Sequence, residues 1–223
     1  MSRQLAFDLP LKQAQGRDDF FVAPANALAL ATLDAPAGWP GRRMLLIGPE
    51  GAGKSHLAQI WADTHGAPVL AASALAEADI PALARGPVVI EDAGAVAGRP
   101  ACETALFHLH NLAQAEGGTL LLTAAAPPRD WGLALPDLAS RMAALASVRI
   151  APPDDALLAA VLVKLFADRQ LVVAPGLIDW LVGRMDRSLA TARRLVAALD
   201  ARALAEGRKI SRPLAAEVLD TLG

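Results

Sequence analysis

The chain has 223 residues, 54% of them hydrophobic and 20% charged, with 21 basic against 23 acidic side chains and a formal net charge of −2. At about 100–200 residues per domain this is one large domain or a base with a smaller module, and the composition excludes disorder over most of its length. The charge balance argues against a protein held to nucleic acid by overall charge. Cys102 is the only cysteine, which excludes an intramolecular disulfide and fits a reducing cytosol. Asp8 and Pro10 interrupt any N-terminal signal core, and no run of about 18 apolar residues is present, so neither export nor a membrane partner is expected.

In chain order, Asn26 to Asp34 predicts a short apolar helix after the aromatic pair Phe20-Phe21. Met44 to Ile47 reads as a buried strand ending at Gly48, followed by a helix from Gly53 to His65. Pro68 to Leu70 and Pro87 to Ile90 predict further strands, with an alanine-rich helix between them. A helix from Ala101 to Glu116 should stop at Gly117-Gly118. Thr119 to Thr123 is the next strand, and Ser147 to Ile150 a short last one before Pro152-Pro153. Alternating strands and helices imply a parallel sheet covered on both faces. After Pro153 only helical spacing remains: Asp154 to Asp168, Pro175 to Met185, Ser188 to Glu206 and Ser211 to Leu222. The expected fold is therefore α/β, a parallel-sheet base over residues 19–152 with a small all-helical module over 153–223.

The chemistry concentrates at Gly48-Pro49-Glu50-Gly51-Ala52-Gly53-Lys54-Ser55, which fits GxxxxGK[ST]. The glycines let backbone N–H groups turn inward around a β-phosphate, Lys54 brings a charge to the β/γ-phosphates, and the Ser55 hydroxyl suits Mg²⁺. The loop also opens a helix, whose N-terminus favours anions, and His56 follows within it. A chance match in a chain of this length is roughly a one per cent event at average residue usage, so a nucleotide site is expected rather than an incidental glycine turn. Its acidic partners should come from the end of a second buried strand: Glu91 toward Mg²⁺ and Asp92 toward an attacking water. His108 and His110, two apart on a helix, point to different faces and make poor joint metal ligands.

The phosphate loop, Glu91-Asp92, Ser140-Arg141 and Arg193 occur in an order that resembles AAA+ ATPases of the DnaA type. Within that family the chain is most similar to the short regulators that inactivate the replication initiator. The resemblance covers nearly the whole chain and implies a P-loop AAA+ base with a helical lid. It implies that Asp19, Phe20, Phe21, Val22 and Asn26 form the segment that packs on the adenine base. Leu135 to Arg141 is similar to the segment carrying an arginine finger, which would make Arg141 a guanidinium delivered in trans to ATP on another subunit. Arg193-Arg194-Leu195 resembles the lid helix whose arginine senses the nucleotide; Arg193 takes that role, with Arg194 its rival. Plain readings stand beside these: Phe20, Phe21 and Val22 as core, Arg141 as a solvated surface residue, Arg193 as a helix ion pair.

Two departures from the family pattern bear on chemistry. The Mg²⁺-facing position is ordinarily aspartate where this chain has Glu91, and the polar sensor after the fourth strand is replaced by alanines, Ala125 among them. Binding of ADP or ATP is expected to survive, with intrinsic hydrolysis weak or absent.

At the N-terminus, residues 1–18 form a tail in which Gln4-Leu5-Ala6-Phe7-Asp8-Leu9 resembles the hexapeptide that bacterial proteins insert into the sliding clamp. Gln4, Leu5, Phe7 and Leu9 would fill a preformed pocket in extended form. The helical module carries ten basic and nine acidic residues, less basic than a dedicated duplex-binding domain, so no sequence-specific DNA binding is expected. The resemblance thus implies a cytoplasmic, replisome-associated regulator with DnaA and the clamp as partners, and it allows a homo-oligomer. Two rival classes stay open, a true loader or remodelling ATPase and a nucleotide-gated adaptor without catalytic effect.

Overall fold

The structure, a computed structural model, describes residues 20–222. The first helix, α1 (Ala27–Leu33), leads through two proline-initiated 3-10 turns into β1 (Arg43–Ile47). The chain continues through α2 (Lys54–His65), β2 (Val69–Ala71), the one-turn helix α3 (Ile80–Leu83), β3 (Pro87–Glu91), α4 (Pro100–Glu116), β4 (Thr119–Ala124), α5 (Pro136–Ala143) and β5 (Ser147–Arg149). The five strands form one parallel sheet in the order β2-β3-β4-β1-β5. From there on every element is helical: α6 (Asp155–Asp168), α7 (Pro175–Val182), α8 (Leu189–Glu206) and α9 (Arg212–Leu222). None of the helices among the described residues is long and apolar enough to cross a membrane.

Period-2 alternation splits the strand residues between two cores. Leu45, Ile47, Val88, Ile90, Leu120 and Leu122 face α4 and α5, where Leu106, Leu109, Leu138 and Met142 close over them. Met44, Leu46, Val89, Leu121 and Val148 face α1 and α2, meeting Leu33, Leu57, Ala58 and Trp61. Burial on both faces is why these strands read as unbroken apolar runs. On the α2 side, Trp39 stacks on Trp61 at 5.4 Å and Trp61 on His65 at 4.5 Å. The C-terminal helices enclose a third core of their own, centred on Leu162, Phe166, Leu181, Leu195, Leu199 and Leu214.

The alanine-rich helix expected between β2 and β3 is not there. Ala72–Glu77 forms 3-10 turns, and α3 supplies only one α-helical turn. A three-residue period lines up Ala72 and Leu75, both fully buried against the α4 side of the sheet. Pro81 then permits only a fresh start, capped by Asp79 accepting from Ala82 N–H at 3.1 Å. The helices expected from Asp154 and Ser188 begin one residue later, because both side chains serve as caps, accepting from Leu157 and Thr191 N–H.

Two buried polar side chains organise the α4 side. Glu103 is 2% exposed. Its carboxylate accepts from Gly98, Ala134 and Leu135 N–H, the last at 2.8 Å, and so pins the loop that feeds α5. His110 is also buried and receives an Arg43 N–H on Nε2 at 2.9 Å. A guanidinium has only donors, so that ring nitrogen must be the acceptor and the imidazole neutral. Burial, then the nearby Arg43 charge and to a lesser degree Arg141, push the His110 pKa down to about 4, against the opposing hydrogen bond that His110 Nδ1 donates to Asn111 Oδ1.

These placements give two predictions. Glu103→Ala removes the shared acceptor of the Gly98, Ala134 and Leu135 N–H groups and should lower the unfolding free energy by about 1–3 kcal/mol in urea titration. His110 takes up a proton at about 6.5 when unfolded but only at about 4 when folded. Stability should therefore rise with pH between those values, by up to about 3 kcal/mol. His110→Gln should flatten that segment of the pH–stability curve.

Candidate functional site

In a parallel sheet the loops leaving the strand C-terminal ends gather on one edge, and a ligand crevice opens where neighbouring connections diverge. Here that point is the end of β1, flanked by β4 and β5. Gly48 N–H donates to Ala124 O at 3.1 Å, and Ile150 N–H to Ile47 O at 2.8 Å, so all three strands converge on the phosphate loop. Gly51 (φ 74°) and Gly53 (φ 102°) hold left-handed conformations that L side chains rarely adopt. A Cβ on Gly51 would stand 1.9 Å from Ser188 Oγ, so the loop and the start of α8 pack as closely as a glycine allows. Leu189 N–H donates to Gly51 O at 2.8 Å and completes that junction.

Lys54 opens α2 and is buried. Its ammonium donates to Gly48 O at 2.8 Å and Pro49 O at 2.9 Å, folding the side chain back over the loop. Burial pushes its pKa down, against the opposing pull of Asp92, Glu50 and Glu91. Ser55, next along α2, is exposed at the helix N-terminus. Glu91 ends β3, and its Oε1 is buried without a hydrogen-bond partner. A buried carboxylate oxygen in that state is costly unless a cation or a donor joins it. Asp92, exposed, takes the left-handed region at φ 52° and donates its N–H to Thr123 Oγ1 at 3.1 Å. Ala125 is exposed just past β4 and brings no polar atom to this edge beyond its backbone.

The segment proposed to cover a base is held beside α2. Phe20 packs edge-on against His56 at 5.4 Å, whereas Phe21 and Val22 are 39% and 62% exposed and are not core. Asn26 is buried, and both ends of its amide serve its own loop, Nδ2 donating to Phe21 O and Oδ1 accepting from Ala23 N–H, each at 2.9 Å. Asn26 therefore shapes the segment from within. Ala151 N–H bonds Ala25 O at 2.9 Å, tying the segment to the chain just after β5.

From α8, Arg193 extends toward the loop helix, its Nη2 3.4 Å from His56 Nδ1, and burial lowers its pKa. Arg194 is exposed and turns to Thr191 Oγ1. Gly48, Gly51, Ala52, Gly53, Lys54, Ser55, His56, Glu91, Asp92 and Arg193 thus share one edge of the molecule. Arg141 does not join them. It is exposed in the last turn of α5, with its guanidinium 5.3 Å over the Phe107 ring. Gln4, Leu5, Phe7, Leu9 and Asp19 lie outside the described residues. His108 is exposed and His110 buried, on different faces of α4. Ser188 and Glu103 carry no motif; the sequence marks Ser188 only as the start of a helix, and its close approach to Gly51 joins residues far apart in the chain.

No protein-family model matches the chain. Among solved structures, domain III of the Thermotoga maritima replication initiation protein DnaA superposes with a TM-score of 0.78 at 18% identity, over 96% of this chain and 98% of that one. AMPPCP-bound DnaA from Aquifex aeolicus gives 0.70 at 16% identity, over 83% and 64% of the two chains. The FIGL-1 AAA domain in complex with ADP gives 0.66 at 14% identity, over 89% and 80%. Together with the strand order and the phosphate loop after β1, these likenesses establish the fold: a P-loop AAA+ parallel-sheet base with a helical C-terminal part, in its DnaA-like form.

Proposed function

We propose that the chain is a nucleotide-binding AAA+ regulator of the Hda kind, acting in the cytoplasm, which promotes hydrolysis of ATP held by DnaA and so limits replication initiation. In this reading it docks on the DNA-loaded sliding clamp through Gln4 to Leu9. The observation that carries the trans role is the polarity of the sheet. The chain's own phosphate loop follows the C-terminal end of β1, whereas Arg141 closes α5 shortly before the N-terminal end of β5. An exposed arginine on the opposite edge from its own nucleotide loop supports the reading in which it serves a nucleotide on another protein. A guanidinium there offers fixed positive charge to the phosphoryl oxygens as charge develops on them.

The loop residues fit ADP or ATP with Mg²⁺. Gly51 and Gly53 keep the backbone open, and Lys54 holds its charge at the loop. Ser55 and Glu91 are the two side chains that would hold the metal, Glu91 through the oxygen that has no partner. When bound, the nucleotide supplies the negative charge that Lys54 and the loop N–H groups are arranged to receive. Arg193 and the Phe20–Asn26 segment flank the same loop and would read nucleotide from the lid and base sides. Ala125 cannot orient a water, so the reading assigns nucleotide a structural role in this chain and the hydrolytic effect to Arg141.

Lys54→Ala should weaken binding of a fluorescent ADP about 10- to 100-fold, the equivalent of a charge-assisted hydrogen bond of ~1.5–3 kcal/mol. The deciding experiment follows loss of ATP from DnaA with and without this protein and DNA-loaded clamp. Acceleration should require the clamp, Gln4 and Arg141. Full acceleration by Arg141→Ala would sink the mechanism, and no acceleration with tight nucleotide binding intact would favour a nucleotide-gated adaptor. Turnover of ATP by the isolated chain, abolished in Lys54→Ala, would instead favour a loader ATPase.

A further inference from the structure

At the sheet edge opposite the phosphate loop, a cleft of about 290 Å³ opens between the start of β1, the C-terminal half of α4 and the end of α5. Pro40, Gly41, Arg43, His110, Gln114 and Arg141 line it, together with the 144–146 turn, and no carboxylate is among them. We infer that this cleft is a second phosphate-binding site, with Arg43 and Arg141 as its cations and His110, which accepts from Arg43, as part of its wall.

Two guanidinium groups share the cleft without a counterion. Among the described residues neither forms an ion pair. Arg43 donates only to neutral acceptors, His110 Nε2 at 2.9 Å and Gln114 Oε1 at 3.0 Å, and its Nε is buried with no hydrogen-bond partner. Burial and the charge of Arg141 both lower the Arg43 pKa, the mark of a cation held where positive charge is unfavourable. Arg141 holds its guanidinium over the face of Phe107 and, among the described residues, has no carboxylate partner. The backbone is shaped for the arrangement. Gly41 (φ 58°) and Arg42 (φ 59°) are both left-handed, and for Arg42 that is a strained conformation, held by its Nε donating to Thr119 Oγ1 at 3.1 Å. The turn brings Arg43 over Gly41 so closely that a Cβ there would lie 2.4 Å from Arg43 Nη2. Paired guanidinium groups in a small cleft match a tetrahedral phosphate, whose several oxygens accept from both.

The site stands apart from the DnaA reading, although it shares Arg141 with it. The phosphate could be free or the terminal group of a nucleotide. The test uses inorganic phosphate as probe on the full chain carrying Lys54→Ala, which disables the phosphate loop, and follows the four histidine rings by NMR. Saturable binding should raise the His110 pKa by one unit or more from about 4, with the His65 and His108 rings unmoved. Arg43→Gln should abolish the phosphate-dependent rise, Arg43→Lys should retain part of it, and Arg141→Ala should weaken phosphate about 10-fold. Tighter binding of ADP than of phosphate, with the same His110 response, would identify a nucleotide's terminal group as the source, and equal binding the free ion. The inference is overturned if the folded Lys54→Ala protein shows no saturable His110 response, or if Arg43→Gln responds equally. Loss of DnaA stimulation in Arg141→Ala alongside that negative result would leave the function above intact and remove this site alone.

Discussion

The junction between Gly51 and the start of α8 is the contact on which the architecture turns. The Leu189 amide bonds the Gly51 carbonyl, while the Ser188 hydroxyl fills the space a Cβ would need. The same hydroxyl caps its own helix by accepting from Thr191 N–H. One side chain thus orders the helical part and presses it against the most constrained turn of the base. The third core, formed by the C-terminal helices, is otherwise self-contained. Anything that alters the phosphate loop therefore acts directly on the element through which the helical part is registered to the base, and Arg193 is carried on that same helix.

The parallel sheet divides the chemistry by edge. Backbone turns after β1 and β3 gather glycines, an ammonium and three acidic side chains, Glu50, Glu91 and Asp92, so opposite charges stand near one another around Lys54. At the other edge Arg43 and Arg141 line one cleft that no carboxylate shares. The near-zero net charge conceals this separation. The first edge mixes acidic groups with the Lys54 ammonium; the cleft at the second is lined by cations alone among its charged groups. Glu103 links them structurally, since its carboxylate fixes the entry to α5 from within the α4 core, so the position of Arg141 depends on a buried acid far from it in sequence.

The phosphate loop, the strand–helix alternation and the helices near Asp154 and Ser188 were legible because each is a local pattern of a few residues, although those two side chains were read as helical and prove to be caps. Apolar runs such as Leu120 to Leu122 were correctly read as two-sided strands. The stretch between β2 and β3 was misread because alanine favours helix, while Pro81 and the buried spacing of Ala72 and Leu75 impose 3-10 turns instead. Phe21 and Val22, which an apolar tally alone would bury, stand exposed beside Phe20 because Asn26 locks their loop.

What the sequence by itself determined is the set of chemical groups and their order: an anion loop, an acidic strand end, arginines on late helices. Short-range constraints suffice for these, since φ preferences, capping and period-2 or 3.6 patterning act over a handful of residues. Only the tertiary structure decided which of them meet. It chose Arg193 over Arg194 for the loop, left Glu91 with a buried oxygen lacking a partner, set Arg141 on the far edge, and placed it beside Arg43 and His110. Those outcomes follow from how two cores pack across one sheet, and packing couples residues some hundred positions apart that no local pattern relates.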